Sequence, residues 1–284
     1  MGFNKNIIIV GKNSYIGSYF SEYAFSIGYE VISISSRDCN FLREDEVRQI
    51  FRSLNNTKNY TLVFLATINR WMENSFDSFN KNLQIINNLI AGCQLANIQS
   101  IIYFSSVDVY GNKPALPITE ETQINPDSWY GLAKYACEWV LLSSGQVQCP
   151  VTVLRIPGIY GNAQNDRSVV GKMVSSLKNN KKVVIKGMGQ NQRDYLYIND
   201  LCLLLQSLIP LKYQGILNVA TGHSIPINEI VRLAGKLLNI EFEMIYEPAE
   251  PARDFDLMFD ISLISSLVPN FRFSDLEEGI QSYL

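Results

Sequence analysis

The sequence predicts an α/β fold, a doubly wound parallel sheet followed by a smaller C-terminal α/β lobe, and three observations carry that prediction. Short β-branched runs alternate with longer amphipathic stretches through the first two-thirds of the chain, the pattern of a parallel sheet whose crossovers are helices. Several of the runs are almost wholly apolar, as strands covered by helices on both faces must be. After Gly158 the strands shorten and the texture changes.

Taken in order, strands are expected at Ile7–Val10, Tyr29–Ser33, Thr61–Ala66, Ser100–Ser105 and Val151–Ile156. Helices are expected between them at about Ser14–Ile27, Arg43–Leu54, Ser75–Ala96 and Ser128–Ser144, with Glu44 and Glu46 suiting a helix N-terminus. The link between Ser35 and the second helix is too short for an additional helix. In the smaller lobe, strands are expected at Val183–Lys186, Asp194–Ile198, Leu217–Val219 and Phe242–Tyr246, and helices at about Asn199–Leu208 and Asn228–Leu238. Pro and Gly clusters at 114–117, 187–189 and 248–251 read as loops. The division falls at residue 160: residues 1–160 form the sheet domain, to which some later segments return, and 161–284 the substrate lobe.

With 284 residues, 47% of them hydrophobic, and a net charge of −3, the chain can bury a full core. Mild acidity gives no field for a polyanion, so nucleic acid is not an expected partner. The five cysteines (Cys39, Cys93, Cys137, Cys149, Cys202) are scattered singly and odd in number, which argues for buried thiols rather than a disulfide framework or zinc site. The N-terminus has no cleavage-site pattern, and no apolar stretch approaches the roughly 20 residues of a membrane span. A soluble, cytoplasmic protein without membrane partners is expected.

Gly11-Lys-Asn-Ser-Tyr-Ile-Gly17 follows the first strand directly and opens the first helix, where backbone N–H groups and the helix dipole can hold a pyrophosphate. Gly11 permits the tight turn and Gly17 the close packing of helix on sheet, with Ser14 where a glycine is usual. Asn13, Ser14, Tyr15 and Ile16 therefore belong to the expected cofactor site, and the first domain reads as a Rossmann-type dinucleotide-binding domain. The second strand ends Ile34-Ser-Ser-Arg37, where an NAD site normally offers an acid to the ribose. Ser35, Ser36 and Arg37 suit a 2′-phosphate instead, since guanidinium makes bidentate bonds to phosphate oxygens. NADP(H) is preferred on that ground; NAD(H) stays open, with Asp38 reaching back to the ribose.

Tyr130-Gly-Leu-Ala-Lys134 puts a phenol and an ammonium on one helix face. The spacing alone proves little among 15 tyrosines, and context carries it. Ser106 lies in Ser105-Ser-Val-Asp-Val-Tyr-Gly111 at a strand's carboxyl end, where ligands of open α/β sheets bind. Moving hydride at a carbinol carbon requires moving a proton on its oxygen, and an unperturbed phenol near pKa 10 is a poor base. Lys134 is expected to lower the Tyr130 pKa and to bond the nicotinamide ribose, and Ser106 to orient the substrate oxygen. The alternatives are an amphipathic helix face for Tyr130 and Lys134 and a strand-end hydrogen bond for Ser106.

These residues resemble the extended short-chain dehydrogenase/reductase family, the nucleotide-sugar epimerases, dehydratases and 4-keto-reductases. The likeness spans nearly the whole chain. It includes Phe64-Leu-Ala66, Asn82 with Asn88-Leu89, Leu154-Arg-Ile-Pro157 with Tyr160-Gly161, Arg193-Asp-Tyr-Leu-Tyr-Ile-Asn-Asp200 and Asn218-Val-Ala-Thr-Gly222. The resemblance implies catalytic roles for Ser106, Tyr130 and Lys134, and cofactor contacts at Leu65, Ala66, Ile156 and, beside the adenine, Asn40. It implies that Arg193 and Arg253 bind the diphosphate of a nucleotide-diphosphate sugar, with a surface ion pair as the plainer reading of each. It further implies a homodimer through the helices around Leu83–Leu95 and Trp139–Leu142, and a polysaccharide or O-antigen pathway.

Departures from the family pattern narrow the reaction. Dehydratases of the family follow the catalytic hydroxyl with an acid and base pair, where this chain has Val107 and Asp108. A single carboxylate disfavours 4,6-dehydration, which needs proton transfer at two carbons. Asp108 then either bonds a sugar hydroxyl or caps the turn. Gly158 stands where an asparagine is frequent. The surviving readings are NADPH-dependent reduction of a nucleotide-linked 4-keto-(6-deoxy)hexose and an NAD-dependent 4-epimerase, with a non-catalytic dinucleotide sensor as the reading from a different class.

Three further segments carry weaker signals. His223, the single histidine, sits in a loop, so a histidine triad or metal site is not expected. Asn69-Arg-Trp-Met72 follows the third strand, with Arg70 or Trp71 as sugar contacts or loop packing. Lys178 through Lys182 reads as the solvated C-terminus of a helix.

Overall fold

The computed structural model describes residues 5–161, 168–248 and 255–284. Within the first two-thirds the alternation appears as β1 (Asn6–Val10), α1 (Tyr15–Ser26), β2 (Glu30–Ile34), α2 (Glu44–Arg52), β3 (Tyr60–Phe64), α3 (Phe76–Cys93), β4 (Ile98–Ser106), a 3-10 turn (Val107–Tyr110), α4 (Trp129–Ser143) and β5 (Val151–Ile156). Four helix starts have a local cause. Ser14, Ser75 and Ser128 cap α1, α3 and α4 by accepting the N3 amide, and Glu44, Asp45 and Glu46 place negative charge on the first turn of α2.

The chain continues with β6 (Gly158–Tyr160), α5 (Val169–Asn180), β7 (Lys182–Lys186), β8 (Gln192–Arg193), β9 (Tyr195–Tyr197), α6 (Ile198–Leu208), β10 (Gly215–Asn218), β11 (Ile225–Pro226), α7 (Ile227–Leu238), β12 (Glu243–Glu247), α8 (Ser262–Leu267) and α9 (Leu276–Gln281). Asp275 and Glu278 form a reciprocal capping box at α9.

A six-stranded sheet runs β10-β5-β4-β3-β1-β2, with parallel pairing of β1 to β2 and β3 and of β3 to β4. The chain crosses from β2 through residues 35–43 into α2 and returns on the far side of β1, so β2 is an edge and the order reverses at β1. That reversal is the switch point at which such sheets bind ligands. The strand expected at Leu217–Val219 in the smaller lobe is instead β10, the opposite edge of this sheet; its apolar residues fit either location. The strand expected at Asp194–Ile198 is interrupted, because the buried Asp194 carboxylate leaves the ladder to accept bonds from the Thr221 amide (3.0 Å), Thr221 Oγ1 (3.0 Å) and the Gly222 amide (3.0 Å).

Two compact units result: Met1–Gly111 with Ile124–Arg155 and Leu204–Leu217, and Asn112–Gln123 with Ile156–Leu203 and Asn218–Leu284. Relative to a division at residue 160, segment 204–217 returns to the first unit and segment 112–123 packs with the second. The first unit buries Ile8, Val10, Leu62, Phe64, Ile101 and Val153 of the sheet against Val47, Phe51, Ile86, Leu89 and Leu141 of its helices. Each such side chain contributes about 1.5–3 kcal/mol of transfer free energy. The second unit has its own core of Tyr160, Val170, Val174, Leu177, Ile185, Ile230, Val231 and Ile280. All five cysteines are free; Cys39, Cys137 and Cys202 are buried, whereas Cys93 and Cys149 are only partly so. Among the described residues no helix is long and apolar enough to cross a membrane.

Candidate active site

The turn after β1 is built by what two glycines omit. Gly11 has φ +104, and a Cβ there would sit 3.1 Å from the Ala66 amide nitrogen and 3.2 Å from the Leu65 carbonyl carbon. The turn therefore lies directly on the end of β3. A Cβ at Gly17 would be 2.2 Å from the Gly11 carbonyl oxygen, so α1 can begin this close only with glycine. Ser14 donates through Oγ to the Gly11 carbonyl (2.7 Å) and accepts the Gly17 amide (3.0 Å). The serine in the usual glycine position is thus the helix cap. The first amides of such a helix lack intrahelical partners and suit a pyrophosphate, and Asn13, Tyr15 and Ile16 lie at that end.

At the end of β2, Ser35 is buried and its hydroxyl donates to Asp38 Oδ2 at 2.6 Å, alongside its amide at 2.8 Å. The Ser35 hydroxyl proton is therefore spent within the turn. Those two bonds, then Lys12 and Arg37, hold the Asp38 carboxyl below its usual range. Lys12, Ser36 and Arg37 are exposed. Asn40 Oδ1 accepts the Leu42 amide (3.0 Å), an Asx turn leading into α2.

Ser106 closes β4, and its Oγ accepts the Asp108 amide at 3.2 Å. The Tyr130 amide donates to Asn74 Oδ1 (3.1 Å), tying the start of α4 to the loop after β3. One turn on, Lys134 is buried, donates through Nζ to the Phe104 carbonyl (2.7 Å), and lies 4.9 Å from the Tyr103 ring and 5.7 Å from the Tyr130 ring. Burial pushes Lys134 down to about 8, against the pull of Cys137 and Glu138. Tyr130 is raised above its usual range, first by burial and then by the Asp108 charge, with Arg70 and a Ser106 hydrogen bond pulling the other way. The expectation that Lys134 lowers the Tyr130 pKa is not met in the chain itself: burial of the phenol is the largest influence and raises it.

Two arginine–carboxylate pairs that sequence reasoning missed flank this helix. Arg155 Nη2 lies 2.7 Å from Glu138 Oε2, each side chain 2% exposed. Arg155 also donates to the Tyr110 hydroxyl (3.0 Å), and Ser105 donates to Glu138. Nearer the phenol, Arg70 Nη1 lies 3.0 Å from Asp108 Oδ2. Asp108 is therefore an ion-pair partner of Arg70 at the start of the turn after Ser106. Arg70 also sits 5.0 Å over the exposed Trp71 ring, and Asn82 fixes the base of their loop through both polar groups of Ile68.

In the second unit, Arg193 on β8 donates to the Gln192 carbonyl (2.8 Å) and to the Phe255 carbonyl, and lies 5.4 Å from the Phe255 ring. It lines a cavity of about 180 Å³ with Tyr195, Thr221, His223, Ile225 and Asp275, so it is not a free surface charge. A Cβ at Gly158 would be 2.8 Å from the Tyr195 ring, which takes the space of the asparagine frequent there. Ile156 is partly buried at the end of β5. Arg253 lies outside the described residues.

A model of the NAD dependent epimerase/dehydratase family matches residues 7–220. The chain is 24% identical to the "Putative UDP-glucose 4-epimerase" of Methanocaldococcus jannaschii, over 97% of this chain and 96% of that protein. Among solved structures it resembles the UDP-glucose 4-epimerase of Thermotoga maritima with UDP-glucose (TM-score 0.86, 21% identity, 98% and 97% of the chains). It also resembles RMD of Pseudomonas aeruginosa complexed with NADPH (TM-score 0.84, 19% identity, 98% of each chain). With a family match over most of its length on top of the glycine turn and the Ser106, Tyr130 and Lys134 cluster, the chain belongs to the NAD-dependent epimerase/dehydratase family.

Proposed function

We propose that the protein is an NADPH-dependent reductase of a nucleotide-linked 4-keto-(6-deoxy)hexose. The observation that carries this choice is the end of β2, where Asp38 is drawn into the turn by Ser35 while Lys12 and Arg37 stay exposed beside it. Two cations there suit a 2′-phosphate. The residues fit a dinucleotide because Gly11 and Gly17 leave open the space that a Cβ would fill. Gly11 through Gly17, Leu65 and Ala66 would hold it, with Lys134 at its ribose and Ile156 beside it. When bound, the dinucleotide supplies the hydride.

The chain's own part is proton transfer and orientation. Tyr130, kept protonated by burial and Asp108, gives its proton to the oxygen that gains charge at C4. Ser106 hydrogen-bonds the same oxygen and lowers the cost of that charge. Val107 and an Asp108 already paired with Arg70 leave no acid and base pair for water elimination. Arg193 is the candidate for the substrate diphosphate. Leu132, Tyr135 and Trp139 are exposed on one face of α4, which suits a homodimer.

Fluorescence titration of purified protein with NADPH and NADH, after denaturing a sample to look for retained dinucleotide, tests the reading. Clear NADPH preference, lost in Arg37→Ala at about 1.5–3 kcal/mol for a charged hydrogen bond, is the expected result. Retained NAD without NADPH preference would overturn it in favour of a 4-epimerase, the reading favoured by the Asp38 carboxylate at the end of β2 and by the names of two of the similar proteins above.

A further inference from the structure

The loop after β3 and the turn after Ser106 bring two opposite charges to Tyr130 that proton transfer by Ser106, Tyr130 and Lys134 does not require. Arg70 and Asp108 meet at 3.0 Å with side chains 29% and 22% exposed. Gly131 packs the start of α4 directly on the Asp108 carbonyl, where a Cβ would be 2.6 Å from that oxygen. Asn74 ties the loop carrying Arg70 to the Tyr130 amide at 3.1 Å. Three segments distant in sequence thereby place a guanidinium, a carboxylate, a serine and a phenol together.

We propose that Arg70 and Asp108 act as one positioning pair that sets the electrostatic field at the Tyr130 hydroxyl, Asp108 holding the phenolic proton and Arg70 easing its release. The functional meaning of this inference rests on the reading of Tyr130 as the acid–base group. Burial, then Asp108, favours the neutral phenol, and Arg70 and Ser106 oppose them. The other groups facing the phenol are Lys134 and Cys137 of α4 and Tyr103 of β4. An isolated carboxylate at position 108 would make the proton hard to give up. An isolated guanidinium at position 70 would weaken the phenol's hold on its proton, with burial opposing it. Paired, they leave a donor that is protonated yet able to react.

Tetranitromethane nitrates phenolate, so the nitration rate of Tyr130 in the whole chain at fixed pH reports its ionisation without any substrate, read by peptide mass spectrometry against the other tyrosines. Asp108→Asn is expected to raise the rate about tenfold, the effect of one pKa unit. Arg70→Gln is expected to lower it by a similar factor, and the double variant to return to within about twofold of the parent. Equal rates, or single variants that shift the rate in the same direction as loosened packing would, overturn the proposal. Turnover of Tyr130→Phe separates the two readings. Full activity in that variant beside opposed nitration shifts sinks the acid–base role and leaves the charge pair, whereas lost activity without those shifts sinks only the pair.

Discussion

Two arginine–carboxylate pairs flank α4, and burial separates their roles. Arg155 and Glu138 are 2% exposed; Arg70 and Asp108 keep 29% and 22%. The buried pair is closed on itself: Arg155 Nε and Nη2 both reach Glu138, Nη1 reaches Tyr110, and Ser105 completes the carboxylate. Neither partner reaches solvent there, so this network ties α4 to β4 and β5. The partly exposed pair has a solvent alternative and adjusts a field rather than a framework.

The largest effect expected from that contrast is in stability. Arg155→Met leaves the Glu138 carboxylate buried without its cation and is expected to cost about 3–5 kcal/mol in urea unfolding, with most of it recovered when Glu138→Leu is added. A single-variant cost below about 1 kcal/mol would show that the buried pair does not anchor the helix.

Lys134, on the same helix, sharpens the comparison. Held at about 8 by burial, it carries its charge only below that pH. Dinucleotide affinity is expected to weaken by about 1.5–3 kcal/mol as pH rises through 8, and to lose this dependence in Lys134→Met. The sign for stability is opposite. The folded value lies below the ordinary 10.5, so between about 8 and 10.5 the unfolded chain binds more protons, and this group's contribution to stability rises with pH across that window. The smallest effect is at Arg70: Arg70→Gln is expected to change stability by only about 0–1 kcal/mol, since both partners reach solvent. A cost as large as that of Arg155→Met would erase the distinction.

The same contrast marks what could be read from the sequence. Strands β1 to β5 and helices α1 to α4 follow from local patterns, apolar runs and serine caps, and fall within a few residues of their expected limits. The glycine turn and the one-turn spacing of Tyr130 and Lys134 are also local. Membership of β10 in the first sheet is not, because Leu217 is equally at home on either edge of a lobe. Arg70 with Asp108 and Glu138 with Arg155 are joined only by the fold, and no spacing rule links them. The spent hydroxyl of Ser35 belongs to the same class. Helix α9 was within reach: Asp275-Leu-Glu-Glu278 is a capping-box sequence, the one signal in that stretch that marks a helix start.

The most direct measurement of the central claim compares wild type and Tyr130→Phe for reduced-dinucleotide consumption with UDP-, dTDP- and GDP-linked 4-keto-6-deoxyhexoses, and for product from UDP-glucose. Wild type is expected to turn over at least one of them, and Tyr130→Phe to lose about 10²–10⁴ of that rate, the contribution of a general acid, while binding the dinucleotide as tightly. Undiminished turnover in Tyr130→Phe would contradict the assignment of the proton to Tyr130.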